Sequence, residues 1–107
     1  MIKFMRMLLF FDLPVKTKRE RKIATNFRKF LLKDGYYMIQ YSVYGRVCNG
    51  RDAVEKHRLR LKTALPENGS IRLLVITEKQ YESMEILVGD LHEEDSPFVC
   101  EQLSIFL

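Results

Sequence analysis

Asp12 is the residue best placed to do chemistry. It closes an apolar run, Arg6 to Leu13 (RMLLFFDL), and Pro14, Lys16, Lys18, Arg19 and Lys22 follow closely. A carboxylate is a hard oxygen ligand. Mg²⁺ takes such ligands, keeps several waters, and is commonly held by one or two carboxylates together with substrate phosphates. Cations beside that carboxylate would grip phosphates of the same polyanion. One Asp per chain is too few alone, but two copies of Asp12 meeting across a dimer axis would suffice. The plainer reading is that Asp12 ends a strand through a side-chain-to-backbone turn. On residue type alone it is the stronger of the two.

Other chemistry has little to stand on. The chain has no glycine-rich phosphate loop, no nucleophile elbow, and no His or Cys pair at zinc spacing. His57 falls on the apolar stripe of a helical segment and reads as a satisfied core histidine rather than a catalytic one. His92 sits in an acidic stretch with no evident partner. Cys48 and Cys100 are lone cysteines and read as reduced, structural thiols. The apolar run Met7 to Phe11 is shorter than a signal peptide needs, and a membrane span needs about 20 residues. The expectation is a cytoplasmic protein with no membrane partner.

The elements that must position Asp12 follow from pattern. Arg6–Leu13 is almost continuously apolar, as in a central strand buried on both faces. Thr17 and Glu20 have capping-box spacing and open a helix. Its apolar stripe is Ile23, Phe27, Phe30 and Leu31, and Gly35 supplies the stop. Lys18, Lys22, Lys29 and Lys33 lie opposite, flanked by Arg21 and Arg28. Tyr36 to Val47 is aromatic and β-branched with period-two alternation, Tyr37, Ile39, Tyr41 and Val43 sharing a face. It is either one long strand or two bent near Gln40 to Ser42. A second helix spans about 51–65, with Val54, His57, Leu61, Ala64 and Leu65 as its stripe. Ile71–Thr77 (IRLLVIT) is a second apolar run, expected to be central. Thr77 and Gln80 cap a short helix over about 78–84, Glu85–Val88 reads as a strand, 89–97 as an acidic loop, and Val99 to Leu107 as a last strand.

Strands alternating with helices in one short domain point to an α+β, ferredoxin-like βαββαβ sandwich with an extra C-terminal strand or strands. Residues 1–91 would form the domain and 92–107 an extension. Helices would cover one sheet face, and burying the other against a second copy implies a homodimer. Charge is segregated: residues 1–62 carry 16 Lys/Arg and 5 Asp/Glu, residues 63–107 only 2 Lys/Arg against 9 Asp/Glu. A basic half beside an acidic half fits a polyanion-binding face next to a different partner surface. Neutralisation between the halves, within a fold or a dimer, fits the numbers equally well.

RMLLFFDLP, then KRERKIATNFRKFLLKDG, then YYMIQYSVYG, resembles the CRISPR-associated protein two family. The shared marks are an apolar first strand ending in Asp12, a basic first helix ending in Gly35, and the segment Gln40, Ser42, Val43, Tyr44. ITEKQYESMEILVGD resembles the family's last core strand and its extension, so the likeness covers about residues 4–91. It implies a ferredoxin-like homodimer, a Mg²⁺ site flanked by Asp12 of both chains, and metal-dependent endonuclease activity. It also implies a role in spacer acquisition, where the dimer bridges dimers of the CRISPR integrase and binds double-stranded DNA. Lys16, Lys18, Arg19 and Lys22 are the candidate nucleic-acid contacts. Tyr44-Gly45-Arg46 departs from the family, which often has Phe followed by an acidic residue, and this leaves any role of that acid in doubt. Two other readings compete: a toxin-like metal-dependent ribonuclease of the same fold, and an RNA-binding module that would stack bases on Tyr36, Tyr37, Tyr41 and Tyr44.

Overall fold

A computed structural model describes residues 3–90. The last strand expected over Val99 to Leu107 and the whole 92–107 extension lie outside the described residues, as do Cys100 and His92. The order is β1 (Phe4–Asp12), α1 (Lys18–Lys33), β2 (Tyr37–Gln40), β3 (Val43–Asn49), α2 (Arg51–Lys62), β4 (Ser70–Thr77) and α3 (Glu78–Glu82). The four strands form one antiparallel sheet in the order β2-β3-β1-β4. This is the expected βαββαβ, ferredoxin-like α+β arrangement, with β1 in the interior of the sheet.

Alternation along β1 divides the molecule. Met5, Met7, Leu9 and Phe11 point to the helices and join Phe27, Leu31, Tyr36, Tyr44, Cys48 and Leu61 in one core. Phe11 meets Phe27 edge-on at 5.3 Å between centroids. Ile71, Leu73 and Val75 of β4 pack against the same core. Arg6, Leu8, Phe10 and Asp12 belong to the opposite face, which neither α1 nor α2 covers. In α1 the buried positions are Ala24, Phe27 and Leu31, with Ile23 and Phe30 half-buried at the rim of the stripe.

Both capping boxes form. The Thr17 hydroxyl accepts from the Glu20 N–H at 3.0 Å while the Glu20 carboxylate accepts from the Thr17 N–H at 2.8 Å. Thr77 and Gln80 repeat the pattern at 3.1 and 2.9 Å. Each box satisfies donors that a helix start leaves open, which contributes about 1 kcal/mol.

One open alternative is decided and four expectations change. Tyr36 to Val47 is two strands, because Ser42 takes a left-handed φ of 66° at the tip and the β2–β3 register shifts between Met38 and Gln40. Tyr41 therefore leaves the face it was expected to share with Tyr37, Ile39 and Val43. The α2 helix stops at Lys62, with Thr63 as its cap, so Ala64 and Leu65 lie beyond it. Among the described residues β4 is the last strand of the sheet, where a central place was expected. Its apolar run reflects two partly covered faces, with Leu74 half-exposed on the side away from the helices. Residues 85–88 are not a strand. A strand needs a ladder partner, and the described residues offer this segment none: Leu87 and Val88 are 85% and 95% exposed.

Candidate functional site

The site begins at the C-terminal end of β1, where Asp12 pairs in register with Ser70 of β4. The turn before Ser70 presses on this strand end. A side-chain carbon at Gly69 would stand 2.7 Å from the Asp12 carbonyl oxygen and 2.8 Å from Leu13, and Gly69 has a φ of +104°. On the other side, the Phe11 N–H donates to the Ser42 carbonyl at 3.0 Å, so the β2–β3 tip is tied to the residue before Asp12. The linker into α1 is pinned from the helix, where one Arg21 nitrogen donates to the carbonyls of Val15 and Lys16 at 3.2 and 3.0 Å. The backbone on both sides of Asp12 is thus held.

Its side chain is not. Asp12 is exposed and makes no hydrogen bond or ion pair among the described residues. The turn reading would have the carboxylate bonded to nearby backbone, and it is not. Lys16, Lys18, Arg19 and Lys22 are exposed and likewise have no acidic partner among the described residues. The structure brings Lys18, Arg19 and Lys22 together on the first turns of α1, where the helix dipole adds positive potential. Lys16 lies in the linker just before them. Among the described residues no three His, Cys, Asp or Glu side chains gather into a metal site. Asp12 is one hard oxygen ligand per chain, which fits Mg²⁺ only when a second ligand set comes from outside the chain.

Arg6 carries no signal in the sequence that would mark it out, yet its side chain is 0% exposed. Its guanidinium forms a two-pronged bond to Glu78 at 2.6 and 2.8 Å and donates to the Tyr37 hydroxyl at 2.7 Å. It stacks on Tyr81 at 4.4 Å, and the Tyr37 and Tyr81 hydroxyls are 2.8 Å apart. This network anchors α3 to the sheet face that carries Asp12. No pattern along β1 announces the burial of Arg6, because its partner lies in another element 72 residues away.

His57 is the satisfied core histidine expected. Its Nδ1 lies 3.0 Å from the Asp34 carboxylate, whose other oxygen takes a 2.8 Å bond from Arg60. Arg46 donates to the Asp34 carbonyl at 2.7 Å. Burial holds His57 below the usual imidazole value, against the pull of its bond to Asp34. Burial also pushes the Cys48 thiol up, which suits a structural thiol rather than a reactive one. Among the described residues, no helix is long and apolar enough to cross a membrane.

A sequence model of the family described as CRISPR associated protein Cas2 matches residues 5–84. Three relatives all bear the name CRISPR-associated endoribonuclease Cas2. The one from Acidovorax ebreus is 53% identical over 102 residues, covering 95% of this chain and all of the relative. The one from Campylobacter jejuni is 48% identical over 89 residues, covering 83% of this chain and 62% of the relative. The one from Flavobacterium psychrophilum is 47% identical over 100 residues, covering 92% and 85%.

Proposed function

The chain belongs to the CRISPR-associated Cas2 family, and from that premise we propose that it is a Mg²⁺-dependent endonuclease acting on RNA as a homodimer, with Asp12 of both copies at its centre. The observation that carries this reading is the free, exposed carboxylate at a firmly held strand end. RNA as the substrate is supported by the name the relatives carry. The toxin-like ribonuclease of the same fold is not favoured by these relatives.

The homodimer is supported by the sheet face that α3 covers only in part. Phe10 and Leu74 are partly exposed there, and Ile86, Leu87 and Val88 add apolar surface that single domains rarely leave open. Strand alternation sets Asp12 on the face that carries Phe10. Two such faces meeting about a two-fold axis would bring two Asp12 carboxylates toward each other. Together they would hold one Mg²⁺. The ion would neutralise charge on the phosphoryl oxygens and activate a water. Lys16, Lys18, Arg19 and Lys22 would hold the flanking phosphates against the start of α1.

Asp12→Asn tests this. Losing a ligand worth several kcal/mol of transition-state stabilisation should lower Mg²⁺-dependent RNA cleavage more than about 100-fold. Unchanged cleavage would remove Asp12 from the site. A second role has its own support in the segregated basic surface of α1. The dimer would bind double-stranded DNA and bridge dimers of the CRISPR integrase during spacer acquisition. Retention of the integrase by wild-type dimer, and its loss from a dimer-breaking Leu74→Glu variant, would bear that role out. Equal retention by both would count against it.

A further inference from the structure

Four tyrosines in the β2–β3 region have rings that a base could stack on, and the structure sorts them. Tyr36 and Tyr44 are buried in the core. The Tyr37 hydroxyl is engaged with Arg6 and Tyr81. Tyr41 stands at the hairpin tip, 76% exposed. It is exposed but positioned. The Arg28 guanidinium of α1 lies 4.8 Å from the Tyr41 ring centroid and 5.4 Å from that of Phe11, so the cation is held between two rings. One Arg28 nitrogen reaches the Ser42 hydroxyl at 3.4 Å, while its Nε is buried without a hydrogen-bond partner. Leaving a buried guanidinium donor unpaired costs stability, and Ser42 holds a left-handed backbone that serine seldom adopts. The chain tolerates both at the point where an aromatic ring is presented to solvent. The same tip is bonded to Phe11, the residue before Asp12.

We propose that Tyr41, backed by Arg28, is a stacking platform for an unpaired base of the strand whose phosphate lies at Asp12. The assignment rests on the nuclease reading and deepens it by naming the side chain that would position the substrate strand. One face of the ring is taken by Arg28, and the exposure of the residue leaves the rest of the ring to a base. Bases in a duplex have their faces covered by neighbours, whereas an unpaired base has a face to offer. Stacking of this kind is tolerant of sequence, so the platform would place a strand without reading it.

The test compares wild type, Tyr41→Leu and Tyr41→Phe in EDTA, so that the strand stays intact. The probes are a single-stranded oligouridylate carrying one 2-aminopurine, and a blunt DNA duplex of the same length. Tyr41→Leu should weaken single-strand binding about tenfold and abolish the stacking-induced quenching of 2-aminopurine. Tyr41→Phe should keep both, and duplex binding should be the same for all three proteins. If Tyr41→Leu binds the single strand as wild type does, or weakens duplex and single strand alike, the platform is wrong. If wild type binds no single strand either in EDTA or with Ca²⁺ in place of Mg²⁺, the nuclease reading fails and takes the platform with it. If wild type binds and only the tyrosine proves irrelevant, the nuclease reading stands without it.

Discussion

Asp12 and Asp34 sit at opposite ends of α1 and live in opposite circumstances. Asp34, at the C-terminal end, is buried and has both carboxylate oxygens occupied by His57 and Arg60, with its carbonyl held by Arg46. Asp12, ahead of the N-terminal end, is exposed, and its carboxylate is bonded to none of the described residues. One carboxylate is consumed by the fold, and the other is left for something outside it. Charge by itself does not distinguish them. What distinguishes them is whether the neighbouring cations are committed. Arg46 and Arg60 are committed to Asp34, while Lys18, Arg19 and Lys22 have no acid among the described residues.

The contrast can be broken most forcefully at Asp34. Asp34→Ala removes the carboxylate that partners the buried His57 and Arg60, and should cost about 1–3 kcal/mol in urea denaturation. Asp12→Asn should change stability by less than about 0.5 kcal/mol in the same measurement. Similar losses for the two variants would erase the distinction.

Acidity gives a second, smaller test. His57 sits below its ordinary value of 6.5 because burial disfavours the charged ring. Below that ordinary value the unfolded chain takes up a proton that the folded chain refuses. Stability is therefore complete above pH 6.5 and falls as the pH drops from 6.5 toward the folded value. The urea midpoint should be lower at about pH 5 than at about pH 7.5, and His57→Gln should flatten the slope in that window. A slope unaltered in His57→Gln would assign it to other groups.

The smallest stability effect is expected at the basic end. Lys18→Ala with Arg19→Ala should leave the urea midpoint nearly unchanged, since exposed lysines and arginines contribute little to folding. The same double variant should flatten the dependence of log duplex affinity on log salt by up to about 4 units per dimer. An unchanged salt slope would mean that the duplex lies elsewhere and that this face is only solvated.

These outcomes also show what the sequence could carry. β1 and α1 were legible because their signals are local: a short apolar run, a capping box, and a stripe at helical spacing. Asp12 was legible because a carboxylate at the end of such a run, followed by cations, is itself a local pattern. The place of β4 at the end of the described sheet is not legible, because an apolar run reports the two faces of a strand and says nothing of its edges. Apolar residues over 85–88 suit a strand, but pairing is a property of two segments. Arg6 and Asp34 were missed for the same reason, as each depends on partners far along the chain. Tyr41 was one of four equivalent rings until the hairpin turn separated it from the others.

Gly69 shows how a residue without a functional group can behave like one in a genetic screen. Any side chain there must displace the backbone of Asp12 or Leu13. Scored by cleavage, a library at this exposed loop position should show nearly every replacement as loss of function. Scored by abundance, the same library should show far milder defects. The map of intolerant positions would then extend beyond the chemistry, to a turn whose only contribution is to stay out of the way.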